Sequence, residues 1–176
     1  MTCIVGFIDN KNKKVIIGGD SAAVTSGGSY DITIRKDPKV FKNGEFIIGC
    51  TTSFRMIQLL RFSFKPPEIN VDDIYRYMCT DFINEVRNCF KNGGFEGGGD
   101  FIVGYKDRMF TVYDDFQVAE DLLGVSSVGC GSPYALGAIY SLIKSNKQPQ
   151  DKVKFALETA SLFSGGVEKP FIFETT

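Results

Sequence analysis

The 176-residue sequence contains no histidine, and this absence excludes several kinds of catalytic chemistry. Ser-His-Asp and Cys-His nucleophile pairs, imidazole metal ligands and a histidine pH switch all require the imidazole ring. If the protein is an enzyme, its general base is therefore a carboxylate, a lysine or an α-amino group.

An excess of positive charge and a long apolar run are also missing. The 20 Lys and Arg residues are balanced by 21 Asp and Glu residues, which gives a formal net charge of −1. Because nucleic acids and anionic membranes attract basic proteins, we expect neither as a partner. Lys, Asp or Arg interrupts every apolar run before it reaches the length of a membrane span, and the first residues lack the basic region of a secretory signal.

The cysteines form no CxxC pair, which excludes a zinc knuckle and a dithiol redox motif. They are odd in number and widely spaced: Cys3, Cys50, Cys79, Cys89 and Cys130. We interpret them as reduced thiols of a cytoplasmic protein. With 43% apolar residues, the chain is long enough to bury a core without disulfides, and we expect one domain over residues 1–176.

Short β-rich runs separated by polar turns predict two groups of strands, one at the start of the chain and one after residue 100. An Asn-Gly turn at 43–44 is a strong hairpin signal within the first group. The predicted strands cover 3–8, 15–19, 39–41, 46–49, 101–105, 109–113, 116–118 and 170–174.

Apolar residues that recur every three or four positions predict two pairs of helices. The predicted helices cover 53–64, 70–91, 136–143 and 153–160, the second one capped by Asn70. Strands, two helices, strands, two helices and a closing strand indicate an α+β protein. We predict a four-layer αββα sandwich, in which two antiparallel sheets face each other and a helix pair flanks each outer side.

Thr2 follows Met1 and is a candidate nucleophile that needs no histidine. An N-terminal threonine can hydrolyse an amide because its own α-amine accepts the proton of its hydroxyl. The pKa of an α-amine is about 7.7 to 8.0 in model peptides, which suits neutral conditions. Threonine is small enough for a methionine aminopeptidase to remove the preceding Met1. Thr2 alone is weak evidence, since every chain has some second residue.

Five motifs in order along nearly the whole chain resemble the N-terminal-threonine hydrolases of the proteasome β subunit group. They are Thr2-Cys-Ile-Val-Gly, Val15-Ile-Ile-Gly-Gly-Asp20-Ser21, Pro38-Lys39-Val40, Ile47-Ile-Gly49 and Val128-Gly-Cys-Gly-Ser-Pro-Tyr-Ala135. The sequence is most similar to the HslV branch, the bacterial proteasome-like peptidases, because its length is similar and Thr2 follows Met1 with no propeptide. The resemblance implies an Ntn-hydrolase fold.

The resemblance implies a catalytic role for each matched residue. Thr2 matches the nucleophile, and Asp20 and Lys39 match an acid–lysine pair that lowers the pKa of the amine and helps to activate the hydroxyl. Gly49 matches the residue whose backbone N–H stabilises the tetrahedral oxyanion. Without the order of the motifs, a surface salt bridge would be the better interpretation of Asp20 and Lys39.

Two departures from the family pattern concern the surroundings of the threonine amine. Cys130 stands where the family usually has a serine, and a thiol is the weaker hydrogen-bonding group, so we expect a slower or water-mediated proton relay. Ser161 aligns with an aspartate of the proteasome, and HslV likewise lacks an acid there. In that branch, backbone carbonyls around Ser161, Ser164 and Val167 would hold a monovalent cation. We expect no cofactor for catalysis itself.

The walls of the substrate pocket are also implied by resemblance. They correspond to residues 21–23 and to the stretch that follows Gly49, with Ser21, Ala22 and Cys50 as the candidate substrate-binding residues.

The leading hypothesis is a threonine-type endopeptidase that hydrolyses unfolded polypeptide. The resemblance implies a homo-oligomeric ring, with a dodecamer of two stacked hexamers favoured, and an ATPase unfoldase as a partner. Phe62 and Tyr75 lie off the main apolar stripes and are expected to find partners across subunits.

Two alternatives stay open. The first is a non-proteolytic amidase, because one fold hosts several amide hydrolyses. The second is a ring or scaffold subunit without activity, which is favoured by Cys130 and by Met1. As long as Met1 is bonded to Thr2, the nitrogen of Thr2 is an amide and cannot act as a base.

Overall fold

Two antiparallel sheets pack face to face in the computed structural model, which describes residues 1–25 and 31–176. The first sheet has four strands. They are β1 (Ile4–Asp9), β2 (Lys14–Gly19), β10 (Val125–Val128) and β11 (Ile172–Thr175), in the spatial order β10-β1-β2-β11. The central strand β1 therefore carries the start of the chain into the middle of the sheet.

The second sheet has five strands in the order of the sequence. They are β5 (Val40–Asn43), β6 (Phe46–Cys50), β7 (Phe101–Tyr105), β8 (Arg108–Val112) and β9 (Val118–Ala119). A small separate hairpin joins β3 (Ala22–Val24) to β4 (Ile32–Ile34). The predicted strands 39–41 and 46–49 thus form the β5–β6 hairpin, which the positive φ of Gly44 closes.

Helices cover the outer face of each sheet. The first sheet is covered by α4 (Ser132–Leu142) and α5 (Pro149–Phe163). The second sheet is covered by α1 (Phe54–Phe62) and by a longer helical segment, which consists of α2 (Ile74–Tyr77), a π-helical turn (Met78–Phe82) and α3 (Ile83–Asn92). The predicted αββα sandwich is confirmed.

Three apolar clusters hold the four layers together. Ile4 and Ile17 of the first sheet meet Ile47 and Ile102 of the second sheet between the layers. The other two clusters lie between each sheet and its helices. The two sheets approach closely where glycines face this interface. A Cβ on Gly49 would lie 2.6 Å from Ile4 and 2.7 Å from Ile17.

Local predictions were wrong at several element ends. Asp73, not Asn70, caps the second helical segment, because its side chain accepts a hydrogen bond from the Arg76 N–H. The π-helical turn and strand β10 were not predicted, and only Val118–Ala119 forms the last strand of the second sheet. Leu136 and Tyr140 of α4 are exposed, although their spacing had placed them on a buried stripe. Within the described residues, no helix is long and apolar enough to cross a membrane.

Candidate active site

Thr2 is fixed at the start of β1 by the turn that leads into α4. Its carbonyl oxygen accepts a hydrogen bond from the Gly131 N–H at 3.2 Å, and its own N–H donates to Cys130 Sγ at 3.2 Å. Gly129 has a φ of +97°, and a Cβ there would collide with the Thr2 carbonyl. Only glycine therefore lets the 129–131 turn approach the first residues so closely.

Asp20 and Lys39 form a buried ion pair next to Thr2. The Lys39 ammonium lies 2.9 and 3.0 Å from the two carboxylate oxygens of Asp20. The two side chains are only 2% and 0% exposed. The carboxylate also accepts the backbone N–H groups of Cys3 and Ala22, both at 2.9 Å. These hydrogen bonds offset the cost of burying the charge and fix the position of the lysine.

Lys39 also reaches the hydroxyl of Thr2, with its Nζ 2.9 Å from Thr2 Oγ1. Burial lowers the pKa of Lys39, while the charge and hydrogen bond of Asp20 oppose this shift. A cation at this distance stabilises developing negative charge on the hydroxyl oxygen and disfavours a second positive charge on a nearby amine. The structure therefore brings together Thr2, Asp20 and Lys39, as the sequence predicts.

The Met1 carbonyl accepts the hydrogen bond that the Thr2 hydroxyl donates. Thr2 Oγ1 donates to the Met1 carbonyl oxygen at 2.6 Å, and Lys39 Nζ lies 3.4 Å from the same oxygen. Because Met1 is bonded to Thr2, the nitrogen of Thr2 is an amide N–H and holds no lone pair for proton transfer. In this form the candidate nucleophile is in place, but the α-amine that would serve as its base is not free.

Cys130 lies beside the nitrogen of Thr2, as the resemblance implies. Its Sγ accepts the Thr2 N–H and is 3.4 Å from the Thr2 carbonyl oxygen. The Ser164 hydroxyl donates to the same sulfur at 3.5 Å. The thiol is solvent-exposed, so water can reach the group that replaces the usual serine.

Gly49 does not face Thr2, which corrects the role that the resemblance implied for it. Its Cα packs between the sheets against Ile4 and Ile17. Gly49 is paired with Ile102 of β7, and two residues later the Thr51 N–H donates to the Asp100 carbonyl at 3.0 Å. The alternation of an antiparallel ladder therefore directs the Gly49 N–H into the sheet as well.

The backbone N–H of Thr52 is a candidate hydrogen-bond donor to the oxyanion in place of that of Gly49. It lies in the cleft beside Thr2 and has a left-handed φ of +63°. In the described part of the chain, the N–H groups of Thr51 and Ser53 have carbonyl partners, while that of Thr52 has none. The sequence did not point to Thr52 as a donor. Its free N–H lies in a turn with a left-handed φ, a conformation expected at glycine rather than at a β-branched residue.

The predicted substrate-binding residues lie behind the cleft rather than in it. The Ser21 hydroxyl donates to the Pro170 carbonyl at 2.6 Å, and Ala22 and Cys50 are fully buried. Because side chains alternate along a strand, their neighbours face the cleft instead. The cleft has a volume of about 100 Å³ and is lined by Met1, Thr2, Ala23, Val24, Lys39, Thr51, Thr52, Ser53, Phe54 and Ile57.

Phe54 forms one wall of the cleft and carries a cation on its face. The Arg35 guanidinium lies 3.9 Å from the centre of the ring and makes two hydrogen bonds to Asp37, at 2.8 and 2.7 Å. Asp37 raises the pKa of Arg35, and Arg35 lowers the pKa of Asp37. No sequence pattern predicted this wall, since Arg35 follows β4 whereas Phe54 begins α1.

The backbone near Ser161, Ser164 and Val167 partly fits the predicted monovalent cation. The Ser164 carbonyl accepts the Val167 N–H at 3.4 Å, a long hydrogen bond that leaves a lone pair. Ser161 lies in the last turn of α5, and no hydrogen bond to its carbonyl is found within the described ranges. Such carbonyls suit a hard cation. The cation site stays a prediction. No group of three or more Cys, Asp or Glu residues is arranged for a metal ion in residues 1–25 and 31–176.

Comparison with known proteins supports the fold. No family model matches the sequence, and no curated protein is significantly similar to it in sequence. Among solved structures, BPH of Thiobacillus denitrificans in complex with epoxomicin superposes with a TM-score of 0.81 and 21% identity, covering 99% of this chain and 98% of that chain.

Two further solved structures extend the comparison. Eukaryotic HslV from Trypanosoma brucei has a TM-score of 0.77 and 17% identity, over 99% of this chain and 98% of that chain. The Anbu complex from Pseudomonas aeruginosa, described as a helical assembly, has a TM-score of 0.69 and 13% identity, over 100% of this chain and 81% of that chain. The chain therefore has a proteasome-like Ntn-hydrolase fold.

Proposed function

We propose that this chain is the catalytic subunit of a proteasome-like threonine peptidase, which hydrolyses unfolded polypeptide after Met1 has been removed. One observation carries the proposal. The buried Lys39 ammonium lies 2.9 Å from both the Thr2 hydroxyl oxygen and the Asp20 carboxylate. A structural ion pair needs no hydroxyl nucleophile at the start of the chain, whereas an N-terminal threonine hydrolase does.

The residues of the cleft supply each step of peptide hydrolysis. The free amine of Thr2 takes the hydroxyl proton as Oγ1 attacks the carbonyl carbon of the substrate, and the Thr52 N–H stabilises the resulting oxyanion. The protonated amine then gives its proton to the leaving amine, and an ester to Thr2 remains. Water, activated by the same amine, hydrolyses that ester and restores the hydroxyl.

Lys39 lowers the pKa of this amine through its positive charge, so that the amine is unprotonated near neutral pH. Asp20 keeps the lysine in place through the hydrogen bonds to its carboxylate. Cys130 lies where the amine forms and is reached by water, so it contacts the base without replacing it.

Exposed apolar side chains support a homo-oligomer, for which we favour two stacked hexamers. Phe62 is 72% exposed, although it is a large aromatic residue. Tyr75 is also exposed, but its hydroxyl donates to the Val118 carbonyl within the same chain. A larger apolar surface lies on the two helices over the first sheet and comprises Tyr134, Leu136, Tyr140, Phe155, Leu162 and Phe163. Apolar surfaces of this kind mark subunit contacts. An ATPase unfoldase and a cytoplasmic location remain predictions.

A second candidate function is an assembly subunit without peptidase activity. It is favoured by the hydrogen bond from the Thr2 hydroxyl to the Met1 carbonyl, which occupies the nucleophile for as long as Met1 stays attached. The candidates differ in the state of the N-terminus, because only the peptidase requires a free Thr2 amine.

The decisive experiment combines intact mass spectrometry with a hydrolysis assay on protein expressed without an N-terminal tag. We expect loss of Met1, cleavage of an unfolded polypeptide by the parent, full loss of cleavage in Thr2→Ala, and residual cleavage in Thr2→Ser, which keeps a hydroxyl nucleophile. Cleavage by Thr2→Ala at the parent rate would refute the proposal. Removal of Met1 without cleavage of polypeptide would favour the assembly subunit, and cleavage of small amides alone would favour an amidase.

A further inference from the structure

Lysines surround a second cavity, which shares no residue with the active-site cleft. It has a volume of about 520 Å³ and lies between the β1–β2 turn and the connection from α4 to α5. Lys11, Lys147 and Lys152 line it, and Asp9 is the only acidic residue among its lining residues. The carboxylate of Asp9 is already used, because it accepts the N–H groups of Lys11 and Asn12 and the side-chain amide of Asn12.

Lys152 is the unusual member of this group because it is only 6% exposed. Its ammonium donates to the Ile143 carbonyl at 2.9 Å and lies 5.1 Å from the centre of the Phe7 ring. An ammonium has three N–H donors, so two of them have no acceptor in the described part of the chain. No carboxylate lies within salt-bridge distance of it there. A buried charge is normally paired, and this one lacks an anion.

The start of α5 adds to the positive potential of this cavity. This helix of 15 residues begins at Pro149, and its N-cap residue Gln148 makes no side-chain hydrogen bond to it. The unpaired N–H groups at a helix start carry partial positive charge, and Lys152 lies in the first turn, where a cation is unfavourable. Asp151 is in the same turn, but it is exposed and does not line the cavity.

We propose that this cavity binds a small ligand that carries an oxyanion, either a phosphate or a carboxylate group, with Lys152 as its buried partner. The ligand supplies the missing anion and accepts hydrogen bonds from the two free N–H groups of the ammonium. Its negative charge also offsets the partial positive charge at the start of α5. Phe7, Leu123 and Pro149 offer an apolar wall beside the charged end. The competing explanation is that Lys152 only caps the last carbonyls of α4 through Ile143.

Titration calorimetry at constant ionic strength distinguishes the two, with inorganic phosphate and acetate as the probes. We expect the parent to bind at least one of them. Lys152→Met keeps the apolar stem and should weaken binding about tenfold or more, since a charge-assisted hydrogen bond is lost. Lys154→Met removes an exposed charge from the same helix and should leave binding unchanged.

Lys147→Ser keeps the test decisive if Lys152→Met fails to fold, because Lys147 is exposed and its replacement does not disturb the core. We expect Lys147→Ser to weaken binding severalfold. A preference for phosphate or for acetate identifies the ligand group. The proposal is overturned if the parent binds neither probe, or if folded Lys152→Met binds as strongly as Lys154→Met. If Lys152→Met does not fold, binding by Lys147→Ser as strong as by Lys154→Met overturns it.

Discussion

Lys39 Nζ lies 2.9 Å from Thr2 Oγ1, and both residues are buried. The lysine is held by two carboxylate oxygens on its other side, so its charge cannot move away from the hydroxyl. The stability of the buried ion pair and the proposed reactivity of the Thr2 hydroxyl therefore both depend on the Lys39 side chain. Substitutions of this lysine should change stability and activity together.

Lys39→Met should abolish hydrolysis and lower the free energy of unfolding. Removing one partner leaves the Asp20 carboxylate buried without its cation, a loss of about 3 to 5 kcal/mol. Lys42→Met is the matched control, since Lys42 is exposed on the adjacent strand β5. Urea unfolding and a hydrolysis assay measure the two effects. A Lys39→Met protein as stable as Lys42→Met would contradict this account.

The stability of the parent should depend on pH through Lys39. Burial lowers the folded pKa of Lys39 below its ordinary value of 10.5. Between the two pKa values the unfolded state binds more protons, so the free energy of unfolding rises with pH. This contribution is complete above 10.5 and is lost as pH falls through the folded pKa.

Urea unfolding of the parent and of Lys39→Met, from about pH 8 to about pH 10.5, isolates this contribution. The difference in stability between the two proteins should grow with pH. The buried thiols titrate in both proteins and cancel in the difference. A difference that stays constant over this interval would show that the pKa of Lys39 is not lowered.

Gly49→Ala and Thr52→Gly should separate packing from catalysis. The added methyl of Gly49→Ala meets Ile4 and Ile17 between the sheets, so we expect a loss of about 1 to 3 kcal/mol of stability. The folded fraction should keep its kcat, because the added methyl lies between the sheets and Gly49 does not line the cleft. Thr52→Gly should keep both the kcat and the fold, since glycine adopts a φ of +63° without strain. Gly49→Ala keeps its backbone N–H, so a kcat that collapses in the folded variant would show that packing at Gly49 positions the cleft.

Cys130→Ser should preserve or raise activity, because a hydroxyl is the better hydrogen-bonding group beside the Thr2 amine. Alkylation with iodoacetamide should modify Cys130 and Cys79, which are exposed, and spare the buried Cys3, Cys50 and Cys89. An adduct on Cys130 fills the space next to Thr2, so the parent should lose activity while Cys130→Ser resists the reagent. Equal inactivation of both proteins would place the sensitive thiol elsewhere.

Charges introduced on the apolar surface of α4 and α5 should weaken the assembly. Leu162 is 79% exposed, so Leu162→Glu costs little in an isolated subunit but buries a charge in a subunit contact. Light scattering should show a smaller particle for Leu162→Glu and the parent size for Lys154→Glu on the polar side of α5. A monomeric parent at micromolar concentration would refute the ring altogether.

The layered fold could be predicted from the sequence because the spacing of its apolar residues changes clearly between the strand regions and the helical regions. The helical spacing from Ile74 to Phe90 and the Asn-Gly turn at 43–44 each specify a local structure with few alternatives. The start of the second helical segment was harder to predict, since the side chains of Asn70 and Asp73 can both cap a helix. The choice between them depends on which side chain reaches a free N–H.

The ion pair beside Thr2 and the two stretches that contribute cleft walls were predicted from motif order, whereas the individual wall residues Ser21, Ala22 and Cys50 were wrong. Motif matching identifies a residue but not the side to which it faces, and a shift of one residue along a strand reverses that side. This explains why Ala22 and Cys50 are buried while Ala23 and Thr51 line the cleft. The role of Thr52 depends on a backbone angle, which no residue pattern in the sequence specifies.

The attachment of Thr2 to the 129–131 turn bears on the timing of Met1 removal. Cys3 is fully buried, and the backbone of Thr2 is bound by residues that are synthesised some 130 positions later. At 5 to 20 residues per second, the ribosome needs on the order of ten seconds to reach them. An aminopeptidase that acts within this interval meets a free chain end, and one that arrives later meets a folded one. Under the proposed function, the relative timing of Met1 removal and folding affects the fraction of copies that carry a free Thr2 amine.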